Sequence, residues 1–113
     1  MVIKEFLKET AKMTPYGTPE VRDRITCNDG FSMSVQANRH CYCTPRQDLL
    51  DGEYKDVEIG FPSQEEELIN ELAECPSDYT GSVYGYVPIE TVEAVIEKHG
   101  GMKGERWIKK SMK

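Results

Sequence analysis

Long apolar runs are missing from this 113-residue chain: no uninterrupted stretch exceeds two or three residues. A membrane-spanning helix needs about 20, so no membrane segment is expected. A secretory leader is not expected either, because residues 1–12 carry Lys4, Glu5, Lys8 and Glu9 spread through every turn. Aromatic bulk is scarce, with one Trp and three Phe. Counting glycine but not tyrosine, the apolar share is about 41 %, below the roughly 45–50 % of ordinary globular chains. The length leaves room for one small domain over residues 1–113 and none for a dinucleotide domain beside a substrate site. No small-molecule substrate is therefore expected.

Basic residues are almost lacking over residues 48–97, where 14 acidic groups face Lys55 alone, a balance of −13. Residues 1–47 balance at +2 and residues 98–113 at +5, giving the net −6. An acidic surface keeps a small protein soluble. A fifty-residue block with one base is more lopsided than solubility requires; it repels nucleic acid and attracts basic clefts.

What is present predicts an α+β domain: a small, mainly antiparallel sheet of about four strands with two or three helices packed on it. An N-terminal helix and linker occupy residues 1–19, with Val2, Ile3, Phe6, Leu7 and Ala11 at helical spacing. Residues 20–37 read as a hairpin turning at Asn28-Asp29-Gly30, with Phe31, Met33 and Val35 alternating against Ser32, Ser34 and Gln36. Residues 38–52 read as a loop. Val57, Ile59 and Phe61 mark a third strand. Ser63 with Glu66 three residues later is a capping-box pattern, so a helix is predicted there with Leu68, Ile69 and Leu72 as its stripe. Residues 83–87 form a fourth strand, and Pro88 opens a helix striped by Val92, Val95 and Ile96, ending at His99-Gly100. A basic tail with Trp107 fills residues 102–113.

The common Cys-x-x-Cys knuckles of zinc modules are also lacking. Yet four cysteines, Cys27, Cys41, Cys43 and Cys75, match the number that one closed tetrahedral zinc site takes. Structural zinc supplies roughly 10–16 kcal/mol of apparent binding energy in small peptides, against a typical domain stability of about 5–15 kcal/mol. A structural Zn2+ would thus compensate for a thin core. Arg39 and Arg46 bracket the pair and would offset thiolate charge. A straight strand after Cys27 leads away from it, so the chain must double back for Cys27 to meet Cys41. Otherwise His40 or His99 replaces a cysteine. Free buried thiols, a disulfide, and a thiol enzyme using Cys41 or Cys43 with a histidine are the alternatives. Tyr79, Tyr84 and Tyr86 read as sheet packing.

Four runs go further. Phe31-Ser32-Met33-Ser34-Val35-Gln36-Ala37, Cys43-Thr44-Pro45-Arg46, Val57-Glu58-Ile59-Gly60-Phe61-Pro62-Ser63 and Val83-Tyr84-Gly85-Tyr86-Val87-Pro88 resemble a group of small phage and mobile-element proteins of Gram-positive bacteria. That group is similar to a zinc-containing anti-CRISPR protein acting against type II systems. The resemblance implies a non-enzymatic inhibitor in the cytoplasm of an infected or lysogenic bacterial host. It would bind the RNA-guided effector nuclease and block DNA loading or cleavage, touching no nucleic acid directly. A zinc-stabilised adaptor for another protein or a nucleic acid is the other binding class. The tail bases Lys103, Arg106, Lys109, Lys110 and Lys113 would serve it there.

Overall fold

The computed structural model describes residues 1–104, so the basic tail from residue 105 onward, Trp107 included, lies outside the described residues. Four antiparallel strands run in chain order across one sheet: β1 (Ile25–Thr26), β2 (Ser32–Gln36), β3 (Asp56–Gly60) and β4 (Val83–Pro88). Two helices, α1 (Val2–Glu9) and α2 (Ile89–Lys98), share a core with it. Among the described residues no helix is long and apolar enough to cross a membrane. The α+β class and the four-stranded antiparallel sheet agree with the sequence reading.

Period-2 patterning sets the sheet. Ile25 pairs Met33, Val35 pairs Ile59, Val57 pairs Val87 and Ile59 pairs Tyr84. These seven side chains form the buried face. Ser34, Gln36 and Glu58 alternate with them on the opposite, polar face. The hairpin turns where predicted: Gly30 adopts φ +95, and the Asp29 carboxylate accepts the Phe31 N–H at 2.9 Å. Ile3, Phe6 and Leu7 of α1 and Val92, Val95 and Ile96 of α2 complete the core. Glu93 of α2 accepts the Ile3 N–H at 2.9 Å, supplying the side-chain acceptor that Met1 at the N-cap of α1 does not.

α1 ends at Glu9, before Ala11, the last residue of its predicted stripe. The Thr10 hydroxyl donates to the Phe6 carbonyl at 2.6 Å. The Arg22 guanidinium, only 6 % exposed, donates to Leu7 O at 3.2 Å, Ala37 O at 2.8 Å and Thr10 Oγ1 at 2.9 Å. Side-chain donors thus satisfy the last-turn carbonyls and end the helix. Gly52 packs against this end. It sits at φ +69, and a Cβ there would stand 2.5 Å from the Lys8 backbone nitrogen. Gly52→Ala should therefore destabilise the fold by about 2–3 kcal/mol, from left-handed strain and overpacking together. A denaturant midpoint equal to wild type would contradict this.

The helix predicted from Ser63 does not form. Only turns and a 3₁₀ segment, Asn70–Leu72, occupy that stretch. Both capping partners are engaged elsewhere: the Ser63 hydroxyl accepts the Ser32 N–H at 2.9 Å, and Glu66 is drawn into the interior at 1 % exposure. Of the predicted stripe, Ile69 is buried, whereas Leu68 and Leu72 remain exposed.

Candidate protein-docking face

Residues 38–46 leave β2 and cross the polar face of the sheet toward β4. Two contacts fix this path: the Tyr42 N–H donates to Glu58 Oε1 at 3.0 Å, and the Tyr42 carbonyl accepts the Tyr86 N–H at 2.9 Å. Cys41 and Cys43 point inward on either side of Tyr42 and gather around Asn38. The Cys41 thiol donates to Asn38 Oδ1 and the Cys43 thiol to the Asn38 carbonyl, both at 3.3 Å. Burial, reinforced by Glu58, pushes Cys41 up to about 11, and burial pushes Cys43 up as well.

The other two cysteines lie apart from this pair. Cys27 is buried beside the hairpin turn, bridged to Met102, and burial with the Asp29 charge pushes it up to about 11. Cys75 is exposed near Ser77. Among the described residues, no three His, Cys, Asp or Glu side chains form a group able to hold a metal ion. His40 is exposed, with its Nε2 3.3 Å from Arg39 Nε, and both ring nitrogens of His99 are bonded to carboxylates. Of the four cysteines expected to hold zinc, the structure gathers Cys41 and Cys43 around Asn38 and sets Cys27 beside the hairpin turn and Cys75 at the surface. The chain crosses toward β4 instead of doubling back to Cys27. The four thiols are free in this arrangement.

Neutral buried thiols are poor nucleophiles. In the native protein, iodoacetamide should label Cys75 within minutes and reach Cys27, Cys41 and Cys43 only after denaturation, as mass spectrometry would read. Rapid native labelling of Cys41 or Cys43 would reinstate a reactive thiol.

Tyr42 itself points outward. Its ring lies 6.0 Å from that of Tyr86 at an interplanar angle of 40°, with the Arg46 guanidinium 5.3 Å above the Tyr42 centroid. A β-bulge builds this cluster. Between the Val57–Val87 and Ile59–Tyr84 pairs, β3 has one residue, Glu58, and β4 has two, Gly85 and Tyr86. The extra residue frees the Tyr86 N–H to hold Tyr42. A Cβ at Gly85 would stand 3.0 Å from Tyr42 Cβ, so glycine permits the close approach. Tyr86 takes φ +54, an outlier for a bulky side chain, yet 48 % of it is exposed. The local strain is not repaid by burial. Phe61, at the other end of the β3–β4 pair, repeats the pattern with φ +50 and an exposed ring.

The acidic block follows β3 in the chain and reaches the edge of β4, where Ala73 bridges Tyr84. Glu65, Glu67, Glu71, Glu74 and Asp78 are exposed, with Leu68 and Leu72 among them. Sequence reasoning assigned Tyr86 to sheet packing; the signal that could have singled it out is Gly85 inside a strand pattern, which often marks a bulge. No protein-family model, curated protein or solved structure matches the chain.

Proposed function

We propose that the protein is a non-enzymatic, phage-encoded inhibitor that acts in the bacterial cytoplasm. It binds the type II RNA-guided effector nuclease through the Tyr42–Tyr86–Arg46 face and the exposed acidic residues between Glu65 and Asp78. The observation that carries the reading is Tyr86, a tyrosine held in a strained conformation and left half in solvent. Strain of about 1–3 kcal/mol persists where function needs it, and tyrosine and arginine dominate protein–protein hot spots. Charge supplies the partner type. The effector holds nucleic acid in a positively charged channel, and a block of −13 is complementary to such a surface and repelled by nucleic acid. Buried, protonated thiols support a role without covalent catalysis. The resemblance of the four sequence runs to phage proteins supplies the particular effector.

In this reading the aromatic cluster anchors the contact. The acidic groups speed association and fix orientation, and occupation of the channel denies target DNA its path. Target cleavage by the purified, guide-loaded nuclease should fall stoichiometrically as the protein is added, and inhibition should weaken as ionic strength shortens the Debye length from about 10 Å at 0.1 M toward about 3 Å at 1 M. Unaltered cleavage at a large molar excess in low salt would sink the assignment.

A further inference from the structure

His99, the residue that closes α2, is 5 % exposed. Its Nδ1 lies 2.6 Å from Asp29 Oδ2 and its Nε2 2.7 Å from Glu66 Oε1. The Phe31 ring stacks on the imidazole, with centroids 4.1 Å apart and planes 10° from parallel. A neutral imidazole carries one N–H and can donate to one carboxylate only. Two carboxylates at these distances require both nitrogens to donate, which makes the ring an imidazolium. One proton thereby joins three parts of the chain: the β1–β2 turn through Asp29, the segment before the 3₁₀ turn through Glu66, and the end of α2.

We infer that this proton is a switch, and that its loss frees the Asp29 side chain and loosens the β1–β2 turn, leaving it held to the end of α2 by the Asp29 N–H on the His99 carbonyl at 3.2 Å and by Asn28. The two carboxylates differ in what they can do when it leaves. Glu66 is buried and has no water to turn to; it keeps the Leu68 N–H at 2.8 Å and Lys98 Nζ at 3.1 Å and retains the one remaining imidazole N–H. The Asp29 side chain is 48 % exposed and turns to solvent. The turn it leaves also anchors the chain beyond α2: Asn28 N–H donates to the Gly101 carbonyl at 2.9 Å, and Lys103 N–H donates to Thr26 O at 2.8 Å. The switch thus governs how firmly residues 100–103, and the route into the basic C-terminal segment, are held against edge strand β1.

Every charged group facing the ring bears on the direction. Burial pulls His99 down, but the hydrogen bonds and charges of Asp29 and Glu66 outweigh it and the net shift is upward from 6.5. Lys98 adds a like charge, itself paired to Glu66 at 3.1 Å and Glu67 at 3.6 Å. The carbonyl end of α2 favours a cation. The nearby Cys27 thiol, up to about 11, stays neutral. The clasp is therefore closed below the raised His99 midpoint and opens above it.

Ring-nitrogen NMR of the full chain tests this, with exposed His40 as internal comparator and amide exchange read alongside. Expected is a His99 midpoint above 6.5. Through that midpoint the Phe31 amide, which donates to Asp29, should gain on the order of tenfold exchange beyond its intrinsic rise, while the Leu68 amide stays protected. Asp29→Asn, a change at a half-exposed turn, should lower the midpoint with the fold intact. A neutral His99 at pH 6, or Phe31 exchange indifferent to the midpoint, would overturn the switch.

Discussion

His99→Ala is expected to destabilise the protein by about 3–5 kcal/mol near pH 6, the range for removing one partner of a buried ion pair. The substitution leaves the Glu66 carboxylate, 1 % exposed, with Lys98 and one backbone N–H, and it opens a void against the Phe31 ring. The pH dependence carries the mechanism. His99 is raised from 6.5 in the fold, so its contribution is complete below about 6.5 and is lost as pH climbs through the raised value. Burial pushes Glu66 up, but bonds from Leu68, His99 and Lys98 outweigh it, and the net direction is down. The Phe31 N–H, and after it His99, lower Asp29. Their contributions are present above the ordinary carboxylate range and vanish as pH falls through the depressed values. Wild-type stability should therefore peak between those limits. Denaturant unfolding of both proteins at pH 6 and on the alkaline side of the His99 midpoint would show the gap between them narrowing as pH rises. A gap of the same size at both pH values would mean that His99 acts by packing alone.

The second large effect separates binding from folding. Tyr86→Gly should raise the dissociation constant for the proposed nuclease partner about 30-fold or more, the loss of roughly 2 kcal/mol that marks a hot spot. Stability should stay within about 1 kcal/mol of wild type, or rise, because glycine accepts φ +54 without the strain that tyrosine carries there. A residue kept for packing would behave in the opposite way, with stability falling and affinity unchanged. Tyr84 is the built-in contrast. It lies two residues away in β4 and is fully buried, and its hydroxyl donates to the Tyr79 carbonyl at 2.5 Å. Tyr84→Ala should cost stability foremost.

The strands were legible in the sequence because local pattern and tertiary role coincide there. Met33 and Val35 alternate with serines, Asn28-Asp29-Gly30 tolerates the turn, and Val57 and Ile59 face the core. The same holds for α2, whose Val92, Val95 and Ile96 stripe is buried as spaced. Ser63 and Glu66 misled because a capping box is a local signal. Whether Glu66 reaches back three residues or across to His99, 33 residues on, is settled by packing that no window of sequence contains. His99 was legible as a helix end or a substitute metal ligand, but not as the partner of Asp29, whose carboxylate is 70 residues away in the chain. The cysteines were counted correctly but could not be placed: loop 38–46 crosses the sheet instead of returning to Cys27. The exposed tyrosine pair was hidden because its cause is a one-residue bulge, invisible to alternation.

Direct titration of the guide-loaded nuclease with this protein, at low and at raised salt and with the Tyr86→Gly variant beside it, is the measurement closest to the centre of the reading. Expected is a complex that forms at low salt, loosens as salt is added and is weakened by the variant at both. No complex at any ionic strength would contradict it.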